Sequence, residues 1–117
     1  MLEEKINGLK KRLIQYASLG QSMVENSIKG LLEHDEELLE QVIQTDEPRA
    51  NDFEIDIDEM CTTLIVTLQP KAIDLRTILM ALKMNNDLER IADHAVNISP
   101  SAVGLIEQPL VNPLIDI

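Results

Sequence analysis

Tryptophan is absent, and Tyr16 and Phe53 are the only aromatic residues in 117. Strand-built cores draw on bulky aromatic and β-branched side chains, so this scarcity excludes a β-sandwich. Cys61 is the only cysteine, which rules out an intrachain disulfide and a Cys-rich zinc site. It falls on an apolar stripe and reads as a small core residue rather than a nucleophile. No uninterrupted apolar run approaches the roughly 18 residues of a membrane span. The opening MLEEKINGLKKRL places charges where a signal peptide needs a continuous apolar segment. The chain therefore reads as cytoplasmic, without direct membrane insertion. Positive charge is also scarce, with 10 Lys and Arg against 21 Asp and Glu, a net charge of −11. That field repels phosphate backbones, excludes nucleic acid as a partner, and favours cations or basic patches on other proteins. No Gly-rich phosphate loop, Gly-x-Ser-x-Gly or His-Glu-x-x-His occurs. With no nucleophile beside a general base, an enzyme is not expected.

What is present is helical periodicity in a chain long enough for one core. Leu2, Ile6, Leu9, Leu13, Tyr16, Met23 and Leu31 recur in steps of three, four or seven, with Gly20 and Ser27 filling gaps. Gly30 and Glu33-His34-Asp35 mark the end of this first helix, and Asp35 is placed to cap the next. A second stretch carries Leu38, Leu39, Val42 and Ile43. Thr45 or Asp46 then predicts a capped restart, with Pro48 tolerated in the first turn. The stripe Phe53, Ile57, Met60, Cys61, Leu64, Leu68 runs to Gln69-Pro70, where the proline ring disfavours helical geometry in the residue before it. A third helix is predicted from about Ile73 to Ile98, stopped by Ser99-Pro100. Short connections predict an all-α, antiparallel three-helix bundle over residues 1–98, its second helix interrupted near Thr45–Pro48. Residues 99–117, with three prolines and one glycine, read as an extended linker or arm.

On the third helix, Ala81, Met84, Leu88, Ile91, Ala95 and Ile98 form the predicted core seam. A second line, Leu75, Leu79, Leu82, Asn86, Glu89 and Asp93, turns from apolar to polar along its length. Leu75, Leu79 and Leu82 together predict an interaction face that another bundle covers. Carboxylates stand at i and i+4 twice, as Glu54 and Asp58 on the second helix and Glu89 and Asp93 on the third. Neighbours at this spacing repel when both are ionised, and a hard, oxygen-preferring cation relieves that repulsion. The pattern alone leaves two readings open, a cation site or a solvated acidic face. His34 and His94 do not complete the Glu-x-x-His spacing of di-iron bundles.

The run Asp87-Leu88-Glu89-Arg90-Ile91-Ala92-Asp93-His94-Ala95-Val96-Asn97-Ile98 resembles the D-L-E-R-I-G-D-x-A-x-N-I signature of the PhoU phosphate-signalling family. Gln69-Pro70 with Ala72 and Asp74-Leu75-Arg76 is similar to that family's Q-P-x-A-x-D-L-R turn. Glu54-x-x-Ile57-Asp58-Glu59-x-Cys61 and Met23-Val24-Glu25 match its other helix motifs, so the likeness covers about Leu2 to Ile98. The resemblance implies a three-helix repeat whose E/D-x-x-x-D motifs, here Glu54/Asp58 and Glu89/Asp93, hold an iron-type metal cluster. Manganese, nickel, zinc and magnesium are the alternatives. It also implies a non-enzymatic negative regulator of phosphate uptake and phosphate-starvation signalling. The implied partners are the phosphate ABC transporter ATPase and a membrane-bound sensor histidine kinase. The competing expectation is a PhoU-like accessory module that regulates another ion transporter or channel without metal. Two departures stand out. Ala92 replaces the usual glycine, and typical members carry two repeats, whereas residues 99–117 resemble the linker between them. The expectation is thus one half of a two-repeat protein, or a single repeat that forms a homodimer.

Overall fold

A 100° advance per residue sets Ile6, Leu9, Leu13, Tyr16, Gly20, Met23 and Ser27 along one side of a helix. The computed structural model describes residues 2–107, with side chains to residue 98, and buries that side of α1 (Leu2–Glu33). His34 ends α1 in the left-handed conformation with φ 55°, and the Asp35 N–H donates to the Gly30 carbonyl at 2.9 Å. This closure satisfies a carbonyl that the helix end leaves free. The Asp35 carboxylate then accepts the Leu38 N–H at 3.1 Å and caps α2 (Glu36–Gln41), as the sequence predicts.

Gly30 has a different role from the terminator expected. It lies inside α1, buried, where an added Cβ would stand 2.6 Å from Leu39 Cδ2 and 2.7 Å from Leu39 Cγ. Gly30→Ala gains about 1 kcal/mol of helix propensity but overpacks the α1–α2 contact, which costs about 1–3 kcal/mol. The expected result is a lower urea midpoint with unchanged slope, by about 1 kcal/mol; an equal or higher midpoint would show that Leu39 swings aside freely.

The predicted capped break near Thr45–Pro48 is corrected. Val42–Asp46 form one π-helical turn, in which the Glu47 N–H bonds to the Val42 carbonyl five residues back, and the chain passes without a break into α3 (Glu47–Leu68). Asp46 has helical φ and ψ and makes no side-chain cap bond. The physical reason is local: the Pro48 ring would crowd the carbonyl of Gln44 in a regular α-turn, and the wider turn makes room for it. At the far end Gln69 adopts φ 42°, ψ 65° ahead of Pro70, and α3 stops where predicted.

Helix α4 (Ala72–Glu107) is longer than the reading to Ile98. Ser99-Pro100 does not stop it, and residues 99–107 are helical rather than extended. An interior proline costs about 3 kcal/mol, but propagation adds hydrogen bonds to a helix already nucleated over 27 residues. Residues 108–117 of the expected arm lie outside the described residues.

Helices α1, α3 and α4 close on a core of Leu9, Tyr16, Met23, Ile57, Cys61, Ile78 and Ala95, joined by Val42 of the π turn. The Ser27 hydroxyl donates to the buried Ala95 carbonyl at 2.9 Å, fixing the height of α4 on α1. The architecture is the expected all-α three-helix bundle, with no strand among the described residues. The seam of α4 differs from the prediction. Ile78, Ala81, Asn85, Leu88, Ala92 and Ala95 turn inward, whereas Met84 and Ile91 are exposed. The apolar pattern misplaced the phase because α4 is hydrophobic on several sides, and small or polar Ala92 and Asn85 take the tight inner positions. No helix of the described residues is long and apolar enough to cross a membrane.

Candidate functional site: carboxylates across α3 and α4

The i, i+4 spacing puts Glu54 and Asp58 one turn apart on α3, and Glu89 and Asp93 one turn apart on α4. Asn85 brings the two helices into register. Its side chain is 2% exposed, and its amide Nδ2 donates to the Glu54 carbonyl across the interface at 3.0 Å. Asn85 Oδ1 is buried without a partner. One turn beyond Asn85, the half-buried Glu89 side chain comes within hydrogen-bonding reach of the half-buried Glu54 carboxyl. Burial raises the Glu54 pKa most, followed by the charge of Glu89, its hydrogen bond, and the charges of Asp58 and Asp93. The structure thus gathers all four predicted carboxylates into one field, with Asp58 and Asp93 on the exposed rim.

Beneath them lies Tyr16, 1% exposed, whose phenol is pushed up to about 12 by burial and then by Glu54, Glu89 and Asp93. Its ring stacks on Phe53 at 5.6 Å between centroids, and the Arg12 guanidinium covers the Phe53 ring at 4.3 Å. Arg12 Nε also donates to Asp56 at 2.8 Å, which commits this arginine to a different acid. Among the described residues no basic side chain pairs with Glu54, Asp58, Glu89 or Asp93. The donor set is oxygen only and uncompensated, which fits a hard cation in chemistry. Among the described residues no three acidic, histidine or cysteine side chains converge on a common point able to hold an ion.

Because Glu54 holds its proton more tightly when folded, its own contribution to stability is greatest below the ordinary carboxylate range. That stability is lost as pH rises from 4.5 through the raised value. Glu54→Gln is therefore expected to raise the melting temperature at pH 7, by about 0.5 kcal/mol for each like-charged neighbour relieved. The gain should vanish at pH 4 in parallel thermal melts; a destabilised variant at pH 7 would show that the charged form is favoured instead.

The predicted interaction face keeps only part of its exposure. Leu82 is half-buried against the core, Leu75 is half-buried, and Leu79 alone of the three is exposed. Cys61 is buried in the core, its thiol pushed up to about 11 by burial and then by Asp58, as expected of an inert packing residue. Sequence reasoning missed Asn85 and the place of Tyr16 below the carboxylates. Asn85 was legible in principle as a polar residue in phase with Ile78, Ala81 and Leu88.

Residues 13–102 match the family described as PhoU domain. The chain is similar to a phosphate-specific transport system accessory protein PhoU homolog of Aquifex aeolicus, with 34% identity over 99% of this chain and 52% of the relative. The homolog of Pseudomonas putida is 35% identical over 89% of this chain and 40% of its own length. Homolog 2 of Thermotoga maritima is 30% identical over 100% of this chain and 49% of its own. The chain thus spans about half the length of the curated relatives it matches. No solved structure matches it.

Proposed function

The chain belongs to the PhoU family, and from that premise we propose that it is a non-enzymatic negative regulator of phosphate uptake and phosphate-starvation signalling. Support comes from relatives named as accessory proteins of phosphate-specific transport, matched along nearly the whole chain. The observation that carries the reading is the unpaired carboxylate patch, which falls inside the matched residues. The partners proposed are the ATPase of a phosphate ABC transporter and a sensor histidine kinase, reached from the cytoplasmic side. An acidic surface docks on basic patches, and charge there accelerates and orients association. Glu54, Asp58, Glu89 and Asp93 are proposed to hold an iron-type metal cluster or another hard cation. Such a group would supply positive charge to this surface and tie α3 to α4 through the four carboxylates. Since the relatives are about twice as long, the bundle is proposed to pair with a second one, in a longer chain or as a homodimer through the Leu79 side of α4.

The test is genetic. Deleting the coding sequence should derepress alkaline phosphatase in phosphate-rich medium by about tenfold or more, and the wild-type chain in its natural context should restore repression. A deletion strain with normal repression would overturn the reading.

A further inference from the structure

Helix α4 has a second edge that the carboxylate patch does not use. Ile73, Met80, Met84 and Ile91 are 78%, 62%, 46% and 42% exposed. Their steps of seven, four and seven keep them within about 20° of one line, since seven residues fall only about 20° short of two turns. The line lies on the α1 side of α4, because the Ile91 Cγ2 atom borders the space above Gly20 at 3.9 Å from where a Cβ would sit. Glu89 and Asp93 lie on the opposite side of the buried seam, facing α3. Beside the apolar line runs a mainly basic one, with the exposed Asp87 between the two. Arg76, Lys83 and Arg90 are all exposed, stand seven residues apart, and form no ion pair among the described residues. In a chain with 10 basic residues against 21 acids, three unpaired cations in a single file are unlike the rest of the molecule.

We propose that this edge of α4 is a docking surface for an amphipathic helix of a partner protein, one that carries acidic residues alongside its apolar seam. The heptad steps are those with which one helix packs its side chains between those of another. A flank with three cations against the one acid Asp87 selects partners by charge and sets their orientation. The cations select an acidic helix over a second copy of this same edge. Two copies packed antiparallel would set Arg76 against Arg90 and Lys83 against Lys83, with like charges opposed. An anionic bilayer is disfavoured by the narrowness of the apolar line. This surface is independent of the carboxylate patch and of any metal on it.

The test uses the full chain and a four-heptad synthetic helix with leucine at its two seam positions and glutamate at the flanks. Its twin with lysine at the flanks is the control. Fluorescence anisotropy should show binding of the glutamate peptide at least tenfold tighter than of the lysine twin. Arg76→Glu with Lys83→Glu and Arg90→Glu should invert that preference, and Met80→Asp with Met84→Asp should remove binding of both, each with an unchanged circular dichroism spectrum. Three outcomes overturn the proposal: no binding, binding indifferent to peptide charge, or binding only to vesicles of phosphatidylglycerol and phosphatidylcholine. Sedimentation that shows self-association abolished by Met80→Asp with Met84→Asp would assign the edge to a second copy instead and overturn it equally.

Discussion

Tyr16→Ala is expected to remove a large share of the stability of the bundle. Tyr16 is the largest fully buried side chain, it stacks on Phe53, and it supports the helix that carries Glu54. Truncating a buried aromatic costs about 3–5 kcal/mol, against a total stability of about 5–15 kcal/mol for a domain of ordinary size. Urea unfolding followed at 222 nm should show the midpoint fall by at least about a fifth. Tyr16→Phe keeps the ring and serves to separate packing from the hydroxyl. It should sit within about 1.5 kcal/mol of wild type at pH 7, as volume-conserving changes do. The two should part at alkaline pH. The folded phenol titrates near 12 against an ordinary value of 10.0, so the native state binds the proton more tightly and stability falls as pH rises through that window. Tyr16→Phe should lack that loss. An alanine variant that unfolds at the wild-type midpoint would refute the place given to Tyr16 in the core.

The second large effect concerns metal. If the four carboxylates hold a cation, ferric or manganous ion at a hundred times its dissociation constant should stabilise the chain by about 2.7 kcal/mol through mass action. For a domain of this size that is roughly 10 °C in melting temperature. Chelator should reverse the shift. Glu89→Gln with Asp93→Asn keeps the side-chain shapes and removes two charges, so it should abolish the shift while leaving the metal-free melting temperature equal or higher. Elemental analysis of protein purified without chelator gives the independent count. No metal-dependent shift in wild type, together with no bound metal, would reduce the patch to an acidic docking face; a shift that survives in the double variant would place the ion elsewhere.

Much of the fold was legible because its stops are chemically blunt. Asp35 caps as Asp does, and Pro70 ends α3 by steric exclusion at Gln69. The four carboxylates were legible as pairs, because i, i+4 spacing survives any choice of partner helix. Their meeting across two helices was legible from helical rise, which sets Glu54 level with Glu89 on either side of the turn at Pro70; the amide bond from Asn85 to the Glu54 backbone was not, because among Asn85, Asn86 and Asp87 only the phase of the buried seam singles out Asn85. The phase of α4 failed for a related reason. When most faces of a helix are apolar, periodicity states that it is helical but not which side is inner. Ala81, Leu88 and Ala95 of the predicted seam do turn inward, but Ala92 took the place of Ile91 and Asn85 that of Met84 by the closeness of approach between helices, which belongs to the packing and not to the string of residues. Gly30 was misread as a stop because glycine marks both helix ends and tight contacts, and only Leu39 above it distinguishes the two.

The turn from Val42 to Asp46 has a consequence for what the family can vary. A π turn holds one more residue than an α turn, so it acts as a spacer between two screws of equal pitch. Upstream, Leu39 points inward; downstream, Ala50 and Ile57 do, with Glu54 toward α4. Removing one residue from the turn would rotate everything after it by about 100° relative to everything before, so that Leu39 and Ile57 could not both be buried. Such a chain is therefore free to change the exposed Gln44 and Thr45 but neither the buried Val42 and Asp46 nor the length of the turn, and an indel there is the change least open to repair by any single later substitution.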